Sequence, residues 1–183
     1  MPFIFKKLWI KDVILIKPTV FEDKRGFFTE TYVEPDFVRA GIKEKFVQEN
    51  HSKSKRGVFR GFHYQKNPMA QAKLVRCISG KVLDIVVDIR RNSSTYGEYL
   101  SKILSEYNKQ MIYIPHGFAH GFLSLENDSE IVYKSSEVYS PKDERGIIYN
   151  DSDLNINFSG IKIIVSDKDS NLPTLKKADN NFI

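Results

Sequence analysis

About ten short apolar or alternating runs, each closed by a turn signal, follow one another along this 183-residue chain, with almost no helical periodicity. Side chains on a strand alternate between its two faces, so runs of this kind bury a face by packing sheet against sheet or by closing into a barrel. The fold class read from this is all-β, a sandwich or barrel with a few short helices. The strand-like runs cover residues 13–16, 27–32, 46–51, 58–65, 73–78, 81–89, 99–104, 110–114, 119–125, 130–139 and 161–165. Asp23-Lys24-Arg25-Gly26 and Ser79-Gly80 read as turns. Pro35 near its start and Gly41 past its end mark one short helix. There is no internal repeat, low-complexity tract or evident linker, so residues 1–183 read as a single domain. The tail after Pro173 is polar and is expected to pack loosely or to contact another subunit.

With 13 Phe and 9 Tyr the chain can build a sizeable core. No stretch approaches the roughly 20 apolar residues that span a bilayer, and Met1 to Lys7 lacks the order of a signal peptide. A lone cysteine, Cys77, excludes an internal disulfide and reads as an inert core thiol. These features place the chain in the cytoplasm. The formal charge of +5 is spread along the chain, densest at Lys53-Ser54-Lys55-Arg56, a solvated loop rather than a nucleic-acid footprint.

Arg60-Gly61-Phe62-His63-Tyr64-Gln65 stands out within its strand. Strict alternation puts Arg60, Phe62 and Tyr64 on one face and Gly61, His63 and Gln65 on the other. Histidine is the side chain best suited to moving protons near neutral pH, so this strand suggests a working site. The bland alternative is a buried histidine satisfied by a backbone carbonyl. Lys73 alternates with Val75 and Cys77 and so shares an apolar face, where a lysine is rare unless paired or functional. A snorkelling edge lysine is the alternative there.

Pro115-His116-Gly117-Phe118-Ala119-His120-Gly121-Phe122 has the form P-x-G-x-x-H and resembles the second motif of the cupin superfamily, a jelly-roll barrel. Metal-binding cupins carry an H-x-H pair in the first motif, and here Phe62-His63-Tyr64-Gln65 offers one histidine. A divalent metal wants three or four protein ligands, so no metal and no cofactor are expected. The whole constellation resembles the dTDP-4-dehydrorhamnose 3,5-epimerase family. The matching segments, in order, are residues 23–30, 48–52, 57–65, 71–75, 115–122, Tyr133-Lys134 with Tyr139-Ser140-Pro141, and 166–169.

The resemblance implies inversion at carbons 3 and 5 of a 4-keto-6-deoxyhexose carried on dTDP, in dTDP-L-rhamnose biosynthesis. Both carbons flank the ketone, so each C–H is acidified and a base can form an enolate. Return of a proton from the opposite face then inverts the centre. By resemblance His63 is the base, held by Asp169, whose polar surroundings otherwise read as an exposed loop. Lys73 steadies the enolate oxygen, and Tyr133 is the acid. Without the resemblance Tyr133 reads as a core aromatic. Arg25 and Arg60 are implied phosphate partners. Gln48, Asn50, Glu30, His120, Glu144 and Lys168 are further implied contacts, with Tyr139 as a stacking platform for the base. The resemblance also implies a homodimer in which residues 25–30 reach into the neighbouring subunit's site, with the basic charge attracting a dianionic substrate. A single-centre epimerase or ketoisomerase of the same fold is the alternative. A metal-dependent cupin and a non-catalytic anion-binding module stand behind it.

Overall fold

The alternating runs become strands of two facing sheets in the computed structural model, which describes residues 2–158 and 160–183; Met1, where the N-terminal reading began, and Ser159 lie outside the described residues. In chain order the strands are β1 (Phe3–Lys7), β2 (Ile14–Pro18), β3 (Val20–Asp23) and β4 (Gly26–Thr29), followed by helix α1 (Glu34–Arg39). Then come β5 (Gln48–Ser54), β6 (Phe59–Gln65), β7 (Lys73–Ser79), β8 (Lys81–Asp88) and β9 (Tyr99–Ser105). After these are β10 (Met111–Ile114), β11 (Phe118–Ser124), β12 (Ser129–Ser135), β13 (Glu144–Gly146) and a short helix α2 (Asp167–Ser170). One sheet has the order β1-β2-β10-β7-β12-β5, the facing sheet β13-β6-β11-β8-β9, and β3-β4 forms a separate hairpin. All these strand pairs are antiparallel. The all-β sandwich stands as read.

Pattern explains the layers. On β8, Val82 and Val86 point between the sheets, where they meet Val75, Cys77 and Ile131 of the six-stranded sheet. Ile85 and Val87 point the other way, onto a second apolar layer closed by the C-terminal third through Ile147, Leu154, Leu175 and Phe182. A third layer covers the outer face of the six-stranded sheet, where Phe37 of α1 packs with Ile14, Ile16 and Leu74. Cys77 is buried, and burial pushes its thiol up to about 11, in keeping with an inert core thiol.

Several expectations need correction. Residues 161–165 do not form a strand: one parallel bridge, Val58 to Ile164, replaces a ladder. Their alternation is real, because Ile161, Ile163 and Val165 pack on the second apolar layer, but the segment meets only the start of β6. The strand read over 27–32 stops at Thr29, after which Tyr32 turns to pack on Phe37 and Phe46. The strand read over 46–51 runs from 48 to 54, because its inward face is polar and an apolar pattern misplaces it. The strand read over 130–139 ends at Ser135. The tail after Pro173 is fastened to its own subunit rather than loose. Phe182 is buried beside Tyr64, and Asp179 bonds Lys66 and Arg145 at 2.7 and 2.9 Å.

The face assignment on β6 is also overturned. Against β11, His63 pairs with His120 but Arg60 pairs with Phe122, so β6 carries one extra residue between them. Such a bulge reverses the alternation. Arg60 and His63 therefore share the cavity side, while Phe59, Phe62 and Tyr64 join the second apolar layer. Gly61 occupies the extra place at a φ of 128°, where a Cβ would stand 2.5 Å from the Gly121 Cα.

Candidate active site

A cavity of about 470 Å³ opens between the two sheets. Its wall from the five-stranded sheet carries Arg60, His63, His120 and Phe122, and its wall from the six-stranded sheet carries Lys73 and Tyr133. The segment from Ile164 to Asp169 closes one side.

His63 Nε2 bonds Asp169 Oδ1 at 2.7 Å. Asp169 is not an exposed loop acid: it lies on α2, whose N-cap Ser166 accepts its backbone N–H at 3.1 Å, and its side chain is only 6% exposed. Burial opposes its charge, but the bonds from His63 and the Gly61 N–H outweigh that and hold the carboxyl below its ordinary range. With Nε2–H donating to Asp169, Nδ1 of His63 is left as the acceptor.

Opposite stands Lys73, on the same face of β7 as Val75 and Cys77, as its alternation implies. Its ammonium lies 5.7 Å from the centroid of the Tyr133 ring. Among the described residues no ion pair reaches it. Burial pushes Lys73 down to about 8, with the negative charges of Asp84 and Glu144 resisting. Tyr133 is set by Ile131, two residues earlier on the same inward face of β12. Burial foremost, then Glu144, raises its hydroxyl, which keeps it a proton donor.

The rim is a connected polar network. Glu144 accepts from the Tyr139 hydroxyl at 2.7 Å and from Lys168 at 2.5 Å. Gln48 donates to Asn50 at 2.9 Å and accepts from the Tyr139 backbone N–H at 2.9 Å, tying β5 to that turn. Arg60 is fastened at the mouth by Ser54 Oγ and the Lys53 carbonyl, at 3.1 and 3.2 Å. The fold thus gathers His63, Asp169, Lys73, Tyr133, Arg60, His120 and Lys168 around the cavity, with Gln48, Asn50, Tyr139 and Glu144 at its rim. It does not bring Arg25 and Glu30 there. Both are exposed, and Arg25 pairs with Asp23 at 2.6 Å on the β3–β4 hairpin.

One acid was missed in the sequence. Asp84 is fully buried on β8 and bonds His120 Nε2 at 2.8 Å. The available signal was its position, alternating with Val82 and Val86 on the face that looks inward. Among the described residues no three His, Cys, Asp or Glu side chains converge as a metal site would need.

The family model for dTDP-4-dehydrorhamnose 3,5-epimerase matches residues 7–177. A dTDP-4-dehydrorhamnose 3,5-epimerase of Shigella flexneri is 48% identical over 174 residues, covering 94% of this chain and 96% of the relative. The structure of a Legionella pneumophila epimerase in complex with dTDP-4-keto-L-rhamnose has a TM-score of 0.92 at 38% identity, covering 96% of this chain and 94% of that one. A 3'-monoepimerase of Streptomyces bikiniensis in complex with dTDP-quinovose has a TM-score of 0.88 at 34% identity, covering 93% and 87%.

Proposed function

The chain belongs to the dTDP-4-dehydrorhamnose 3,5-epimerase family, and from that membership and the cavity we infer that it inverts carbons 3 and 5 of dTDP-4-keto-6-deoxy-D-glucose, in dTDP-L-rhamnose biosynthesis. It is an isomerase, a sugar-nucleotide epimerase. One observation carries the assignment of roles: a histidine braced by a buried carboxylate on one sheet faces a lysine and a tyrosine on the other.

In this reading Nδ1 of His63 takes the proton from the carbon beside the ketone, and Asp169 stabilises the imidazolium that forms. The electron pair moves onto the C4 oxygen, where the Lys73 ammonium offsets the charge. Tyr133 returns a proton from the opposite sheet, and hence the opposite ring face. Solvent then resets both groups, and the cycle repeats at the second carbon. Arg60 and Lys168 hold the diphosphate, with His120 and Glu144 beside the sugar. Gln48, Asn50 and Tyr139 hold the nucleoside end.

The active unit in this reading is a homodimer in the cytoplasm. Arg25 and Glu30 do not line their own cavity, and the β3–β4 hairpin exposes Phe21, Phe27 and Phe28. A neighbouring subunit's site is where such a hairpin would be covered and used. No helix among the described residues is long and apolar enough to cross a membrane.

The test is the product formed from dTDP-4-keto-6-deoxy-D-glucose without added metal. NMR should find the L-sugar inverted at both carbons. A product inverted at one carbon would instead support the single-centre reading, which the likeness to a 3'-monoepimerase favours. No conversion would overturn both.

A further inference from the structure

Among the buried carboxylates with no task in the mechanism, one borders the active site. Asp84 is inaccessible to solvent, on a strand face it shares with Val82 and Val86. A valine there would continue the core, whereas a carboxylate loses its hydration and must be paired. Only half of that pairing is met: Oδ2 takes the His120 bond at 2.8 Å, and Oδ1 has no hydrogen-bond partner. Across the cavity stands Lys73, a half-buried cation that no ion pair reaches among the described residues.

We propose that Asp84 is a positioning residue of this active site, a buried carboxylate that fixes the His120 ring from behind and supplies the counter-charge Lys73 lacks on its own sheet. The proposal rests on the epimerase reading of the same cavity. His63 and His120 are cross-strand partners, and each bonds a carboxylate through Nε2. Each ring therefore turns Nδ1 away from its carboxylate, and the two rings stand side by side on one wall. Asp169 braces the ring that takes the proton. Asp84 braces its cross-strand neighbour His120 and, with its unbonded oxygen, offsets the charge of the lysine across the cavity. The carboxylate acts through the field it sets and through ring orientation, and it exchanges no proton with substrate. The negative charge of Asp84 does more than that of Glu144 to resist the loss of charge on Lys73.

The charged and titratable groups around Lys73 are Tyr133 of β12, His63 and Arg60 of β6, His120 of β11, Glu144 of β13, and Lys168 and Asp169 of α2. Asp84→Asn changes none of these and keeps the side-chain shape. Two measurements decide the matter. The first follows the titration of Lys73 by NMR of a 13C-labelled side chain, in the full-length protein without substrate. The second is the pH profile of kcat and KM. In D84N the Lys73 titration and the alkaline limb of kcat should both move to lower pH by about one unit. At neutral pH kcat should fall about 10- to 100-fold with KM nearly unchanged. Asp84→Glu, which keeps the charge, should restore the titration even if its bulk lowers the rate. An unmoved Lys73 titration in folded D84N would overturn the proposal whatever the loss of rate. An inactive wild-type protein would instead overturn the epimerase reading, and the titration would still decide the role of Asp84.

Discussion

His63 carries the largest consequence of any single side chain. His63→Asn keeps the size of the ring system's polar end but cannot accept the proton, and kcat should fall by about 10²- to 10⁴-fold, measured by product formation. Tyr133→Phe removes the acid and leaves the base, so loss of the substrate C–H proton to solvent should outlast inversion. A phenylalanine variant that inverts both carbons at the wild-type rate would contradict the role given to Tyr133. Lys73 sets a pH limit. Its conjugate acid is the working form, and burial has brought it down to about 8. On the alkaline side activity should therefore fall about tenfold per unit well above pH 8, a limb that Lys73→Met should abolish along with most of the rate. His63 and Lys73 were legible from type and position, and Tyr133 only through the family resemblance. Lys73 betrayed itself by its place among valine and cysteine on one strand face. Asp169 did not, because a short polar run says nothing of the helix that carries its carboxylate to His63. Asp84 was hidden in an apolar run, where strand period rather than composition was the signal.

At the scale of elements the bulge in β6 matters most. It puts Arg60 and His63 on one side of the strand despite their odd spacing. Gly61 makes it possible: an added Cβ would meet Gly121 Cα at 2.5 Å and the His120 carbonyl at 2.6 Å, both backbone, at a positive φ. Gly61→Ala should cost on the order of 2–4 kcal/mol in stability, read by denaturant unfolding. It should also lower activity in whatever fraction stays folded. Strict alternation misassigned this strand's faces because one inserted residue leaves no mark in a hydrophobic pattern. β5 failed for a related reason. Its inward face is Gln48, Asn50 and Ser52, chosen for a cavity rather than a core, so the apolar Phe46 drew the reading two residues early. The segment 161–165 has the period of a strand and packs like one, but its pairing is a single bridge at Ile164. Strands of the sheet centre, such as β7, β8 and β11, were placed to within a residue or two, because both of their faces are apolar.

At the scale of the whole molecule the sandwich was legible from the count and spacing of its strands. The layer formed by the C-terminal third was not, because it is built largely from loops held by scattered backbone and side-chain bonds rather than by a strand ladder. The proposed homodimer makes a prediction of its own. If Arg25 serves the neighbouring site, mixing inactive His63→Asn with weakly active Arg25→Ala subunits should restore activity, to about one quarter of wild type after random exchange. Wild-type sites form only in the mixed dimer, so mixing that restores nothing would place Arg25 outside the neighbouring site. The central claim, that one histidine inverts two carbons through enolates, is tested most directly by incubating the protein with dTDP-4-keto-6-deoxy-D-glucose in D2O and following carbons 3 and 5 by NMR. The account predicts deuterium at both carbons in step with inversion, and at neither carbon with His63→Asn. Inversion without deuterium entry, or exchange that survives at both carbons in that variant, would contradict it.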